Sequence, residues 1–126
     1  MPLNISHRVE DDIGVLVISG PLTLGPSLVD LRNTARQFIE GNKLKGLVLH
    51  VGSVTRTDSS GLGELTVVYT LATKKGCPVR LVDVPPELRK MLELTRLDGL
   101  LPIAPDIAAA RTEFRRNNAR TASSQG

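Results

Sequence analysis

Residues 58–63 (Asp-Ser-Ser-Gly-Leu-Gly) place two hydroxyl groups and a carboxylate next to one another. The segment follows a continuous apolar run at residues 47–51 and leads into a stretch, starting at Leu62, whose apolar residues have helical spacing. The hydroxyls therefore lie at the start of a predicted helix, where the first backbone N–H groups lack partners and the helix dipole places partial positive charge. Such an end binds either a capping side-chain oxygen or a phosphate.

The position of these serines permits two interpretations. In one, Ser59 or Ser60 only caps the helix and Gly61 only relieves a tight turn. In the other, Ser59 is a chemical switch, because a phosphoserine carries about −1.5 to −2 charge and three strong acceptor oxygens. The helix dipole attracts this dianion while Asp58 repels it, so we expect the fold to survive modification. A partner packed on this surface would have to bury the charge, which is costly enough to release it.

The chain is poor in other catalytic groups, and we predict that it is not an enzyme. Its two histidines are His7 and His50, and His50 lies in an apolar run typical of a packed residue. Thr57 stands where a G-x-S-x-G hydrolase motif needs its first glycine. The glycine fingerprints for dinucleotides and phosphates are missing, and no histidines have metal-ligand spacing, so we predict neither a cofactor nor a metal. The single cysteine, Cys77, is interpreted as a small half-buried residue.

Length and composition restrict the classes of partner. The 126 residues suit one domain, which we place at residues 1–116, followed by a polar tail at 117–126 predicted to be disordered. The net charge of +3 is modest and there are only three aromatic side chains, so base stacking and direct nucleic-acid binding are not expected. No apolar run is long enough to span a membrane, and the N-terminus does not resemble a signal peptide. These features predict a cytoplasmic protein.

Strand and helix patterns alternate along the chain. An opening hairpin is predicted from residues 6–11 and 13–19, and further strands from residues 46–51, 79–82 and 100–103. Helical spacing follows Pro26, Leu62 and Pro86, and a last helix is predicted from Asp106 to about Arg116. Alternating strands and helices indicate parallel crossovers. We therefore predict an α/β fold: a single small domain with a mixed sheet of about four to five strands, an N-terminal hairpin and helices packed on the sheet.

The chain resembles the STAS domain family, which contains the bacterial anti-sigma-factor antagonists. The resemblance is carried by residues 58–63, by the strand at residues 79–82, and by residues 86–98, where a helix ends in a leucine-threonine-x-leucine turn. Gly20 after the second strand also fits. The similarity extends over residues 5–115 and implies the STAS fold.

The resemblance also implies a mechanism and site residues. An unphosphorylated antagonist binds an anti-sigma factor, which is also a serine kinase of the histidine-kinase-like ATPase type, and so frees the sigma factor. The kinase phosphorylates the serine directly after the aspartate, here Ser59, and a serine phosphatase reverses the reaction. Asp58 is then the neighbouring carboxylate. The loop residues Arg56, Thr57, Ser60 and Gly61 shape the phosphosite, and the helix starting at Leu62 forms part of the docking face.

The chain departs from the family pattern on either side of this motif. Relatives carry an acidic pair where this chain has Pro21 and Thr23, and an aromatic and an apolar residue where it has Arg56 and Thr57. Arg56 either pairs with a phosphate or is a solvated loop residue, and Thr57 and Ser60 are close enough to compete with Ser59 for modification. Two alternatives remain open: a STAS scaffold without switching, and a module that binds a small molecule or nucleotide or joins a lipid-transport assembly.

Overall fold

A computed structural model describes the backbone of residues 3–125 and the side chains of residues 3–118. Strands and helices alternate after an initial hairpin. In chain order the elements are β1 (Asn4–Glu10), β2 (Ile13–Leu22), α1 (Pro26–Glu40), β3 (Gly46–Thr57), α2 (Ser59–Thr73), β4 (Val79–Val82), α3 (Pro86–Leu94), a single 3-10 turn (Leu97–Gly99), β5 (Ile103–Ala104) and α4 (Ile107–Gln125).

The strands form one mixed sheet whose spatial order follows the chain, β1-β2-β3-β4-β5. β1 is antiparallel to β2, and the other neighbouring pairs are parallel. Because parallel crossovers share one hand, α1, α2 and α3 all pack on the same face of the sheet. The predicted α/β fold class, with its N-terminal hairpin and mixed sheet, is confirmed.

Two apolar clusters cover the two faces of the sheet. The larger cluster joins alternate residues of β2, β3 and β4, such as Leu16, Leu49 and Leu81, to the buried sides of α1, α2 and α3. The smaller cluster lies on the opposite face, where Phe114 of α4 packs with residues that include Val15 and Val48. The sheet is therefore covered on both sides, which explains why its central strands are almost continuously apolar.

β2 and β3 extend further than the sequence predicted, and they reach the serine motif together. β2 continues through Pro21 to Leu22, and β3 continues to Thr57, which pairs with Leu22. A register shift between Gly20 and Pro21 accommodates the missing N–H of the proline, and Gly20 supports it with a positive φ of 97°. The extension brings Leu22 next to the start of α2.

The C-terminal part of the chain differs from the prediction at two places. The last strand is β5, beyond the predicted segment at residues 100–103 except for Ile103. The helix capped by Asp106, whose Oδ1 accepts a hydrogen bond from the N–H of Ala109 at 2.8 Å, continues to Gln125 instead of ending near Arg116. No glycine or proline interrupts residues 107–125, so the backbone can stay helical through the segment predicted to be disordered. Gly126 lies outside the described residues, and the domain limits of 1–116 stay a prediction.

Candidate functional site

Asp58 is the central residue of the serine motif and lies at the C-terminal ends of the parallel strands. It is the N-cap of α2, and its Oδ1 accepts a hydrogen bond from the backbone N–H of Gly61 at 2.8 Å. Its Oδ2 accepts a second one from the N–H of Leu24 at 2.9 Å. Of the two interpretations left open by the sequence, the one in which Ser59 or Ser60 caps the helix is therefore wrong. The carboxylate is the better acceptor for an orphan amide, and the helix begins at Ser59.

These hydrogen bonds also set the charge state of Asp58. The N–H groups of Leu24 and, to a smaller extent, Gly61 stabilise the carboxylate, which lowers the pKa of Asp58 below its ordinary value of 3.8. Asp58 is therefore ionised near neutral pH, with one oxygen turned to the first turn of α2 and the other to the connection between β2 and α1. Its negative charge is directed at peptide dipoles, which reduces the repulsion expected for a phosphate on the neighbouring serine.

Ser59 is the first residue of α2 and is exposed to solvent. Its hydroxyl forms no hydrogen bond with any residue that the structure describes. An exposed hydroxyl at the positive end of a helix is accessible to a modifying enzyme and compatible with a phosphate. The geometry therefore permits the switch interpretation and removes capping as the reason for a serine at this position.

The other predicted loop residues lie around Ser59 with different accessibility. Arg56, near the C-terminal end of β3, is exposed, whereas Thr57 and Ser60 are half-buried. Arg56 makes no ion pair with the described residues, and its pairing with a phosphate stays a prediction. Ser59 is thus the most accessible of the three neighbouring hydroxyls at residues 57, 59 and 60.

Gly61 and Leu62 do not belong to the accessible surface. Gly61 is buried against the backbone of Leu22. The side chain of Leu62 is only 3% exposed and packs in the larger core cluster. Leu62 belongs to the apolar stripe that the helix turns towards the sheet, and the part that this helix plays in docking stays a prediction. The outward face of α2 begins with Ser59 and continues through Gly63.

A paired carboxylate next to the motif was not identified from the sequence. Glu64 is buried in α2, and both its carboxylate oxygens accept hydrogen bonds from the guanidinium of Arg32 in α1. The pairing raises the pKa of Arg32. The sequence feature that indicates this ion pair is the position of Glu64 between Leu62 and Leu65, because a charge among buried residues requires a partner.

The remaining reactive side chains lie in structural roles. His50 contacts the carboxylate of Asp83 with its Nε2, at 2.8 Å, and its buried Nδ1 has no hydrogen-bond partner among residues 3–118, so the pair does not include a nucleophilic hydroxyl. Burial raises the pKa of Cys77 to about 11, which keeps it a thiol at neutral pH. His50 was predicted to be a packed residue and Cys77 a half-buried one; Cys77 is instead fully buried.

The described residues contain neither a cluster of metal-ligating side chains nor a helix that could span a membrane. Within residues 3–118 no three His, Cys, Asp or Glu side chains are grouped closely enough to hold a metal ion. No helix of the described chain has both the length and the apolar character needed to cross a bilayer. A cleft of about 630 Å³ opens at the end of the sheet away from Ser59, between the C-terminal ends of α1 and α2. Its wall includes Lys43, Lys75 and the buried Cys77.

Comparisons with known proteins agree with this architecture. A model of the STAS domain matches residues 4–110. A curated relative, the anti-sigma F factor antagonist of Paenibacillus polymyxa, is 29% identical over 114 residues, which is 89% of this chain and 97% of the relative. The crystal structure of an anti-sigma factor antagonist from Mycobacterium paratuberculosis superposes with a TM-score of 0.76 at 23% identity, and the match covers 90% of this chain and 94% of the other.

A third relative has been solved in two chemical states. The antagonist SpoIIAA matches in its unphosphorylated form with a TM-score of 0.68 at 17% identity, over 85% of this chain and 91% of that one. Its phosphorylated form, described as the Bacillus cell fate determinant, matches with a TM-score of 0.64 at 17% identity, over 85% and 95%. At such identities these structures establish the fold alone. The family match, which spans the serine motif and all five strands, shows that the chain belongs to the STAS domain family, and its relatives include an anti-sigma factor antagonist.

Proposed function

We propose that the protein is an anti-sigma factor antagonist that binds an anti-sigma factor while Ser59 is unmodified and releases it when Ser59 is phosphorylated. One observation carries this proposal: the free, exposed hydroxyl of Ser59 stands at the N-terminus of α2, directly after a cap that Asp58 already provides. The serine is therefore not needed for the local fold, and its chemistry is available for regulation. The curated antagonist relative supports the same assignment.

The energetics favour release without unfolding. A dianion at the first residue of α2 is stabilised by the helix dipole by about 0.3–1 kcal/mol per favourable charge. Burying it under a bound protein costs several kcal/mol, and about 1.4 kcal/mol corresponds to a tenfold change in affinity. The likeness of this fold to both chemical forms of SpoIIAA supports a modification that leaves the scaffold intact.

The partners follow from this role. The anti-sigma factor is proposed to be a serine kinase of the histidine-kinase-like ATPase type, which uses ATP to modify Ser59, and a serine phosphatase would restore binding. The antagonist itself performs no reaction in this scheme; it is the substrate of both enzymes. As a regulator of transcription through a sigma factor, it would act in the cytoplasm.

Phosphosite mapping tests the proposal most directly. The full chain and the variants Ser59→Ala and Ser60→Ala are incubated with the candidate kinase and ATP, and modified peptides are identified by mass spectrometry. We expect one phosphate on the wild type and on Ser60→Ala, and none on Ser59→Ala. Modification of Thr57 or Ser60 instead of Ser59 would contradict the assignment of the site.

Binding measurements test the switch itself. By isothermal titration calorimetry with the same kinase, Ser59→Glu should lower the affinity by at least about tenfold, which corresponds to about 1.4 kcal/mol. Ser59→Ala should bind like the wild type. Equal binding by the wild type and Ser59→Glu would leave a STAS scaffold without switching as the better description.

A further inference from the structure

The first strand, β1, is an open edge of the sheet. It comes first in the sheet order, and within the described chain it pairs only with β2. The backbone N–H and C=O groups that point away from β2 therefore have no strand beside them, and most residues of β1 are exposed. A straight, unpaired edge of this kind can add a strand from another chain.

Several features that commonly keep an edge strand from pairing are absent from β1. The strand contains neither proline nor glycine, and its register with β2 runs without a bulge from Asn4 to Glu10. Its two charged side chains have opposite signs and bind each other, with the Nε of Arg8 donating to Oε1 of Glu10 at 2.6 Å. The formal charges of β1 therefore cancel, and repulsion between two such strands depends only on which residues face each other.

A second copy of the chain can pair with β1 in few registers. Opposite residues of an antiparallel pair point to the same face of the sheet, so a two-fold axis perpendicular to the sheet must pass through a residue of β1. With the axis at His7, all of Asn4–Glu10 is paired. An axis at any other residue shortens the overlap, and an axis at Arg8 also places two arginines opposite each other. Overlap and charge therefore both favour the axis at His7.

In this register the side chains that meet are compatible. Ile5 packs on the larger apolar cluster and lies opposite Val9 of the second copy, which is 43% exposed in the single chain. On the other face of the sheet, the hydroxyl of Ser6 lies opposite the guanidinium of Arg8. No two arginines and no two acidic residues are opposed. Pairing would thus remove apolar surface from water without setting like charges of Arg8 or Glu10 against each other.

We propose that β1 is a homodimerisation edge, at which two copies of this chain pair antiparallel, with His7 on the two-fold axis, and join their sheets into one. Asn4 pairs with Ser19 of β2, so β1 begins near the end of the sheet that carries Ser59. Because antiparallel pairing reverses the second copy, the two Ser59 loops lie at opposite ends of the joined sheet. The dimer leaves both of them uncovered, and the inference does not depend on modification of Ser59.

Charge substitutions at Ser6 test the register. Ser6→Arg places an arginine opposite Arg8 twice in the dimer, whereas Ser6→Glu places a carboxylate there. Sedimentation velocity of the full chain from about 5 μM to about 1 mM should show a reversible monomer–dimer equilibrium for the wild type. We expect Ser6→Arg to weaken the dimer at least about threefold and Ser6→Glu not to weaken it. Ser53→Arg, at an exposed position of β3, is the matched control and should dimerise like the wild type.

Disulfide cross-linking tests the position of the two-fold axis. His7→Cys places two thiols directly opposite each other, whereas in Val9→Cys each thiol faces Ile5 of the other copy and lies too far from its equivalent to form a disulfide. After mild oxidation, non-reducing electrophoresis should show at least about fivefold more covalent dimer for His7→Cys than for Val9→Cys. Both variants keep the buried Cys77, so its contribution is the same in each, and circular dichroism checks that both are folded.

Three results would overturn the inference. They are a wild-type chain that stays monomeric over the whole concentration range, a Ser6→Arg variant that dimerises as well as the wild type, and a Val9→Cys variant that cross-links as well as His7→Cys. None of them affects the phosphosite mapping at Ser59. Failure of this inference is therefore distinguishable from failure of the proposed function.

Discussion

Gly61 of α2 approaches the carbonyl oxygen of Leu22 in β2 so closely that a Cβ added to the glycine would lie 1.9 Å from that oxygen. The contact fixes the first turn of α2 against the end of the sheet. Since the obstructing atom belongs to the backbone, a side chain at residue 61 could be accommodated only by moving the helix. The glycine of the motif is thus required for packing, and its role differs from the relief of a turn expected from the sequence.

The substitutions Gly61→Ala and Gly63→Ala should change the free energy of unfolding in opposite directions. Gly61→Ala should lower the free energy of unfolding by about 1–3 kcal/mol or more, because it overpacks a buried contact. Gly63→Ala meets no atom within 4 Å and should raise it by about 0.5–1 kcal/mol, since alanine is the better helix former. Urea denaturation followed by circular dichroism measures both. A neutral Gly61→Ala would contradict the close approach.

Asp58 should contribute to stability in a pH-dependent way. Its pKa is lower in the folded chain than the ordinary value of 3.8, so the unfolded chain binds the proton more readily. The charged cap therefore stabilises the fold fully above about pH 3.8, and this contribution is lost as the pH falls through the folded-state pKa. Urea unfolding of the wild type and Asp58→Asn, which keeps a neutral cap, should show a stability difference that shrinks in acid. A constant difference down to about pH 2 would speak against a charged cap.

The pair of Arg32 and Glu64 should be sensitive to the loss of one partner. Arg32→Ala leaves a buried carboxylate without its hydrogen bonds and should lower the Tm, because an uncompensated buried charge is unfavourable. The double variant Arg32→Met/Glu64→Leu removes both charges and should recover much of the loss. Arg36→Ala, an exposed arginine on the same helix, serves as the control and should change little. A Tm for Arg32→Ala equal to that of the control would show that the pair does not stabilise the fold.

The limits of prediction from the sequence follow from the kind of interaction concerned. Periodicity located the helices at Pro26 and Pro86 and the central strands, since it reports which side of an element is buried. It could not reveal that β2 and β3 continue to Leu22 and Thr57, because that depends on pairing between strands. Periodicity also predicted that the last helix ends near Arg116, although it continues to Gln125, because the polar residues near its end have no helical spacing of apolar residues.

The exposure of Ser59 at a helix start could be predicted from the sequence, but the contacts within the motif could not. Ser59 was expected to be exposed at a helix start, and it is. Capping by a serine was left open as an alternative, whereas the carboxylate of Asp58 caps the helix through Gly61. Asp58 also binds the N–H of Leu24, 34 residues away in the sequence. Likewise, the pairing of Glu64 with Arg32 requires two helices to be adjacent, and no pattern within either helix reports it.

The chemistry of Cys77 provides a separate check of the core around the cleft opposite Ser59. Its side chain is buried, and burial raises the pKa of the thiol to about 11, so that at pH 8 only about one molecule in a thousand carries the reactive thiolate. We expect a disulfide reagent to react far more slowly with the native chain than with the chain in urea. Absorbance of the released thiolate measures both rates. Comparable rates in the two states would mean that Cys77 is accessible to the reagent in the native fold. That outcome would contradict the burial of its side chain below the cleft.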